Sequence, residues 1–190
     1  MRDPLLDLRP FASTGSAAAF VGADAARAGG RLHLRFHLQA EPHGAWRIPA
    51  VSSPPARRDR LWERTCCEAF VAAEGSAAYW EINLAPSGDW NVYRFDGPRH
   101  GMRTEERVSQ LPLQRRGDAH AEPLTMAATL DLAQIPELTT APLQIALAAV
   151  VERADGQLSH WALRHGGAQP DFHDRETFLV RVEAATEVRP

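Results

Sequence analysis

Two acidic residues and one tryptophan carry most of the chemistry this chain can offer. Glu68 lies in the run Cys66-Cys67-Glu68-Ala69-Phe70, and Glu81 in Tyr79-Trp80-Glu81-Ile82-Asn83. Successive strand residues point to opposite faces, so Glu81 shares a face with Tyr79 and Asn83, opposite Trp80, Ile82 and Leu84; Glu68 shares one with Cys66 and Phe70. Two carboxyls on neighbouring strands suit two tasks. They can act as acid and base in glycoside hydrolysis, or bind sugar hydroxyls passively through hydrogen bonds. A face mixing Glu, Asn and Tyr is solvent-exposed or lines a ligand site. Trp62, within Arg60-Leu61-Trp62-Glu63-Arg64-Thr65, stands among charges just before a strand. A ring so placed suits the C–H face of a sugar, whereas Trp46, Trp80, Trp90 and Trp161 read as core or rim packing.

Other chemistries find less support. No Gly-x-Ser-x-Gly elbow is present, and that elbow needs an α/β framework. Cys66 and Cys67 are adjacent on a strand and project to opposite faces, where a disulfide between them would be strained; they read as small buried hydrophobes with reduced thiols. His160, His165 and His173, with Asp171 and Asp174, would suit zinc or iron by donor type. Their spacing fits no compact metal motif, and the stretch reads as a capped turn. All 21 basic residues are arginine, so lysine Schiff bases and phosphate-binding P-loops are excluded. A net charge of −3 provides no field for nucleic acid or an anionic membrane. The cluster Arg57-Arg58-Asp59-Arg60 with Arg64 brings guanidinium groups near Trp62, which would favour a sugar-like ligand carrying a carboxylate or phosphate.

The elements that must position these groups are strands. The chain has 190 residues, 44% of them apolar and 24% charged, which suits a single domain over residues 1–190. Asp3 and Asp7 interrupt the N-terminal Met1–Pro10, leaving no signal-peptide core, and no run nears the roughly 20 apolar residues of a membrane span. A cytoplasmic location is expected. Arg31 to Leu38 alternates Leu32, Leu34, Phe36 and Leu38 against Arg31, His33, Arg35 and His37, the mark of a half-buried antiparallel strand. Further strands are expected at Cys66–Ala72, Ala78–Leu84, Trp90–Phe95, Val108–Leu113, Pro123–Leu132, Leu143–Glu152, Leu158–Leu163 and Phe178–Glu183. Turn signals sit at Pro86-Ser87-Gly88-Asp89 and Asp155-Gly156. Glu41 to Arg60 is a long loop, and only Asp131 to Leu138 has room for a helical turn or two. The fold class expected is an all-β antiparallel sandwich of about eight to ten strands with little helix.

The run Trp62-Glu63-Arg64-Thr65-Cys66-Cys67-Glu68-Ala69-Phe70 resembles the signature of family 9 carbohydrate-binding modules and their DOMON-like relatives. Tyr79 to Gly88 is similar to the strand that follows in that family, and Pro170 to Phe178 to its closing aromatic segment. The three matches come in order and cover most of the chain. The resemblance implies a non-catalytic sandwich that binds a small carbohydrate-like ligand. It implies that Trp62 and Phe172 hold the sugar between two rings, and that Glu68 contacts it. Asn83, Tyr79 and His173 stand as rim contacts by position. Three departures bear on specificity, one of them the smaller Phe172 ring where the family has a Trp. Thr65 stands where the family has an acid, and Glu81 where it has a basic residue. Relatives of the DOMON type bind haem, and Met102 with His165 or His173 offers an axial pair for that alternative. Hydrolysis by Glu68 and Glu81 is the other alternative.

Overall fold

The structure, a computed structural model, describes residues 4–11, 19–40, 45–119 and 122–184. The N-terminal reading over residues 1–3 and the loop residues 41–44 lie outside these. Twelve strands form: β1 (Leu6–Pro10), β2 (Phe20–Ala28), β3 (Arg31–Gln39), β4 (Cys66–Ala73), β5 (Tyr79–Leu84), β6 (Trp90–Phe95), β7 (Arg103–Thr104), β8 (Leu113–Arg116), β9 (Leu124–Asp131), β10 (Leu143–Glu152), β11 (Leu158–Ala162) and β12 (Val180–Val182). They follow one hydrogen-bonded path, β7-β6-β5-β4-β10-β11-β1-β2-β3-β9-β8, with β12 also on β10. All the pairings are antiparallel. The expected β-sandwich class holds, although the count exceeds eight to ten.

The path doubles over into two layers. On β3 and β9 the alternation places Leu34, Phe36, Met126 and Leu130 inward, where they meet Val71, Trp80, Ile82 and Leu147 of the second layer. Period-two burial on one face is what a half-solvated sheet requires. β4 and β5 differ, because every residue of both is buried. Their inner faces join the inter-layer core, and their outer faces carry a second cluster built around Phe70, Tyr79, Tyr93, Phe95, Phe172 and Phe178. The segment after β11 and the turn before β4 cover that outer face. β10, apolar without a break from Ile145 to Val151, is central: β4 pairs along one edge and β11 and β12 share the other. Both of its faces are buried, so its sequence has no reason to alternate.

Four elements depart from the sequence expectation, one of them the two-residue β7, which has no counterpart in it. β2 has no strand signal, since its Ala/Gly-rich sequence has low strand propensity; a full nine-residue register with β3 holds it. β1 likewise lacks one, and it joins the layers by pairing with both β2 and β11. The strand expected at Val108–Leu113 begins only at Leu113. Val108 and Leu111 are buried in the core from a loop, so their apolar character reports burial without a ladder. The helical turns near Asp131 to Leu138 are two short 3-10 turns, Leu132–Gln134 and Pro136–Leu138. No helix of the described residues is long and apolar enough to cross a membrane.

Candidate functional site

The outer face of β5, β4 and β10 forms the floor of an open cleft of about 490 Å³. Glu68 and Glu81 lie on that floor. Register pairs Glu68 with Asn83 and Phe70 with Glu81, so the two carboxyls occupy diagonal positions on one face, within reach of each other. Both are nearly closed to solvent, at 3% and 4% exposure. Glu81 Oε1 accepts a hydrogen bond from Asn83 Nδ2 at 2.7 Å. Glu68 Oε1 is buried without a hydrogen-bond partner among the described residues. Burial first, and the neighbouring Glu81 second, push the Glu68 carboxyl well above the carboxylate range. Burial raises Glu81 to about 7, against the opposing pull of the Asn83 hydrogen bond and of Arg99.

His173 closes one side of this floor. Tyr79 Oη lies 2.7 Å from His173 Nδ1 and accepts the backbone N–H of Arg99 at 3.2 Å. If the phenol donates its only proton to Nδ1, the imidazole keeps its hydrogen on Nε2, which lies 3.9 Å from Glu81 Oε2. Burial, then the Arg99 charge, lower the His173 pKa to about 4, so the ring is neutral near pH 7 and offers one N–H to the cleft.

Aromatic rings form the walls. Trp62 sits on a single 3-10 turn, Leu61–Glu63, immediately before β4. It leans edge-on against Tyr93 of β6, with centroids 5.6 Å apart; Tyr93 is fixed in turn by donating to Asp59 Oδ1 at 2.9 Å. Phe172 packs on Phe70 at 6.2 Å and His160 at 6.0 Å, toward β11. Its loop is set by Asp171 Oδ1 accepting the His173 backbone N–H at 3.0 Å, and by Asp174 accepting that of Glu176. Both predicted rings therefore line the same cleft, each held by different neighbours.

Sequence reasoning places Trp62, Glu68, Glu81, Phe172 and His173 together, and all five line the cleft. Asn83 is corrected. It is fully buried beside Glu68 and Glu81 and does not line the cleft; Cys66 Sγ donates to its Oδ1 at 3.5 Å and its amide orients Glu81, so it acts as a positioning residue. Thr65 also has a structural role. Its hydroxyl donates to the Arg47 carbonyl at 2.6 Å and accepts the Glu152 N–H at 3.1 Å, tying the loop to β10 beside Trp62. A Thr65→Val replacement keeps the shape but orphans both backbone groups, at an expected cost of about 1–3 kcal/mol in urea unfolding; Thr65→Ser should restore most of it.

The arginines near Trp62 do not serve the cleft. Arg57 turns to Asn91 and the Val108 carbonyl and covers the Trp90 ring. Arg58 pairs with Asp89, Arg60 with Glu63, and Arg64 with Glu152. None of the four lines the cleft, so the cluster does not supply the anion contact there that the sequence suggested.

The sugar-site reading leaves out several lining residues, Phe95, Arg99 and Met102 among them. Phe95 could have been found, because alternation across the β5–β6 hairpin pairs it with Tyr79, on which it stacks at 4.8 Å. Arg99 and Met102 belong to a tight turn with no sequence period to reveal it. Arg99 is in the left-handed region, at φ 55. Gly101 sits at φ 69, a conformation that favours glycine, and a Cβ there would run into the Asp96 side chain.

Cys66 and Cys67 are both free and buried. No group of three His, Cys, Asp or Glu among the described residues is placed to hold a metal ion. For the haem alternative, His165 faces away, with its Nε2 on the Arg9 carbonyl at 2.9 Å. His173 shares the cleft with Met102, but its nitrogens face Tyr79 and Glu81.

No family model matches the chain, and no curated protein matches it. Among solved structures, it is similar to a candidate carbohydrate-binding protein from Bacteroides uniformis, with a TM-score of 0.68 and 16% identity over 95% of this chain and 86% of that one. A family 9 carbohydrate-binding module from Caldicellulosiruptor kristjanssonii, in complex with glucose, aligns over 93% of this chain and 84% of its own, with 9% identity and a TM-score of 0.49. The chain shares its antiparallel β-sandwich fold with the first of these structures.

Proposed function

We propose that the protein is a non-catalytic binding module for a small carbohydrate, held in the cleft between Trp62 and Phe172 over Glu68, Glu81 and His173. The observation that carries this reading is the union of an aromatic wall with a buried polar floor in one open cleft. Rings offer apolar area to the C–H faces of a pyranose, while the carboxyls and the His173 N–H supply directional partners for hydroxyls. We read the pair as binding groups because burial raises both carboxyls, whereas a glycosidase needs one of its two acids ionised.

Titration of intrinsic fluorescence with soluble mono- and disaccharides tests the reading. At least one sugar should shift the emission. Trp62→Ala should weaken that sugar by about tenfold or more, since truncating a ring at the centre of a site costs about 2 kcal/mol or more. Trp62 is only partly buried, so thermal unfolding of the variant should move little. Wild-type protein that binds no sugar, or Trp62→Ala that binds as well as wild type, overturns the proposal.

A further inference from the structure

The cleft has an unusual charge arrangement for a site that binds neutral sugars. Two buried carboxyls share its floor, Glu63 stands at its edge, and the neighbouring arginines are engaged elsewhere. Arg99 is the one arginine that lines it among the described residues, and Asp171 pairs with that guanidinium at 2.8 Å. His173 contributes an N–H but no charge near neutrality. Of the other titratable neighbours, Tyr79 and Cys66 both have their pKa values raised by burial and stay neutral, and burial lowers that of His160. Glu68 therefore faces the cleft with a buried oxygen that nothing in the described chain satisfies, and a native protein seldom tolerates such a group without a use for it.

Building on the sugar-binding reading, we propose that the cleft selects a carbohydrate bearing a protonated amino group, its ammonium lying between Glu68 and Glu81. An ammonium carries three donors and no acceptor. One donor satisfies Glu68 Oε1, a second reaches Glu81 Oε2, and the positive charge offsets the burial that keeps the pair protonated. The partly exposed Trp62 ring adds cation–π attraction where the ligand lies across it. A neutral hydroxyl in the same place could satisfy Glu68 Oε1 but would leave both acids protonated and gain no charge pairing. Binding carries a proton signature: the ammonium keeps its own protons, no covalent bond forms, and the carboxyl pair loses a proton to the buffer.

Calorimetry of the intact chain at pH 6.5 with D-glucosamine, D-glucose and N-acetyl-D-glucosamine, in two buffers of different ionisation enthalpy, tests this. Glucosamine should bind about tenfold or more tightly than either neutral sugar, with net proton release. Glu68→Gln should bring the glucosamine-to-glucose ratio close to one, and Glu81→Gln, a second variant that removes an acid, should also lower it. Equal affinity for the three sugars, or binding of glucosamine without proton release, overturns the cationic preference while sugar binding stands. Binding of none of these, nor of any sugar in the fluorescence panel, removes both.

Discussion

Glu81→Gln is expected to stabilise the folded protein at pH 8 by up to about 3 kcal/mol and to leave stability almost unchanged at pH 4. The direction follows from where the proton resides. Burial raises the Glu81 carboxyl from 4.5 to about 7 in the folded state. Below the unfolded value both states hold the proton, and the side chain contributes no pH dependence. Between 4.5 and 7 the unfolded chain releases its proton while the folded one keeps it, so the folded state loses ground as pH rises. Above 7 the loss is complete, and each tenfold difference in proton affinity between the two states is worth about 1.4 kcal/mol. Glutamine cannot ionise, and its carbonyl can still accept from Asn83 Nδ2. Urea unfolding of wild type and variant at both pH values measures the difference, and equal stabilities at pH 8 would show that the folded carboxyl ionises freely. The variant gains stability by losing an acid that the ligand is proposed to use, the usual tension between a rigid fold and a working site.

The same residues show how far a sequence can be read. Period two in β5 places Tyr79, Glu81 and Asn83 on one face and Trp80 and Ile82 on the other, and both assignments hold. What alternation cannot say is depth. Asn83 has the correct face yet is fully buried and does not line the cleft, its amide taken up by Glu81 and Cys66. Local charge misleads in the same way. Arg57, Arg58 and Arg64 look available in sequence, but their partners Asn91, Asp89 and Glu152 come from elements up to 88 residues away. Arg99 reaches the cleft through a turn anchored by the Tyr79 hydroxyl, a tertiary contact with no local signature. β2 makes the complementary point for the fold: register with a strongly patterned neighbour can impose a strand on residues that lack the propensity for one.

Trp80→Ala should be the most damaging of these substitutions, costing about 3–5 kcal/mol, and its comparison with Trp80→Phe separates volume from hydrogen bonding. Trp80 is a fully buried ring, and Arg94 lies over it at 5.4 Å. Its Nε1–H donates to Glu105 Oε2 at 2.9 Å. Glu105 also takes two hydrogen bonds from the Arg107 guanidinium, which goes on to Glu137. Alanine removes the indole and opens a cavity under β5, the strand that carries Tyr79 and Glu81 on its other face, so ligand binding should fall together with stability. Phenylalanine fills most of the space and leaves Glu105 still held by Arg107; its cost should be nearer about 1–3 kcal/mol, and the cleft should survive. Acid titration adds a second readout. The Arg107 hydrogen bonds first, and the Trp80 hydrogen bond among lesser causes, hold Glu105 down to about 2. A depressed carboxyl stabilises the fold above its unfolded value, and that contribution disappears as pH falls through the folded one. Without the indole N–H the folded pKa rises toward the ordinary range, so Trp80→Phe should unfold at a higher pH than wild type. An unchanged acid midpoint would mean that Arg107 alone sets the state of Glu105, and that the indole contributes only its bulk.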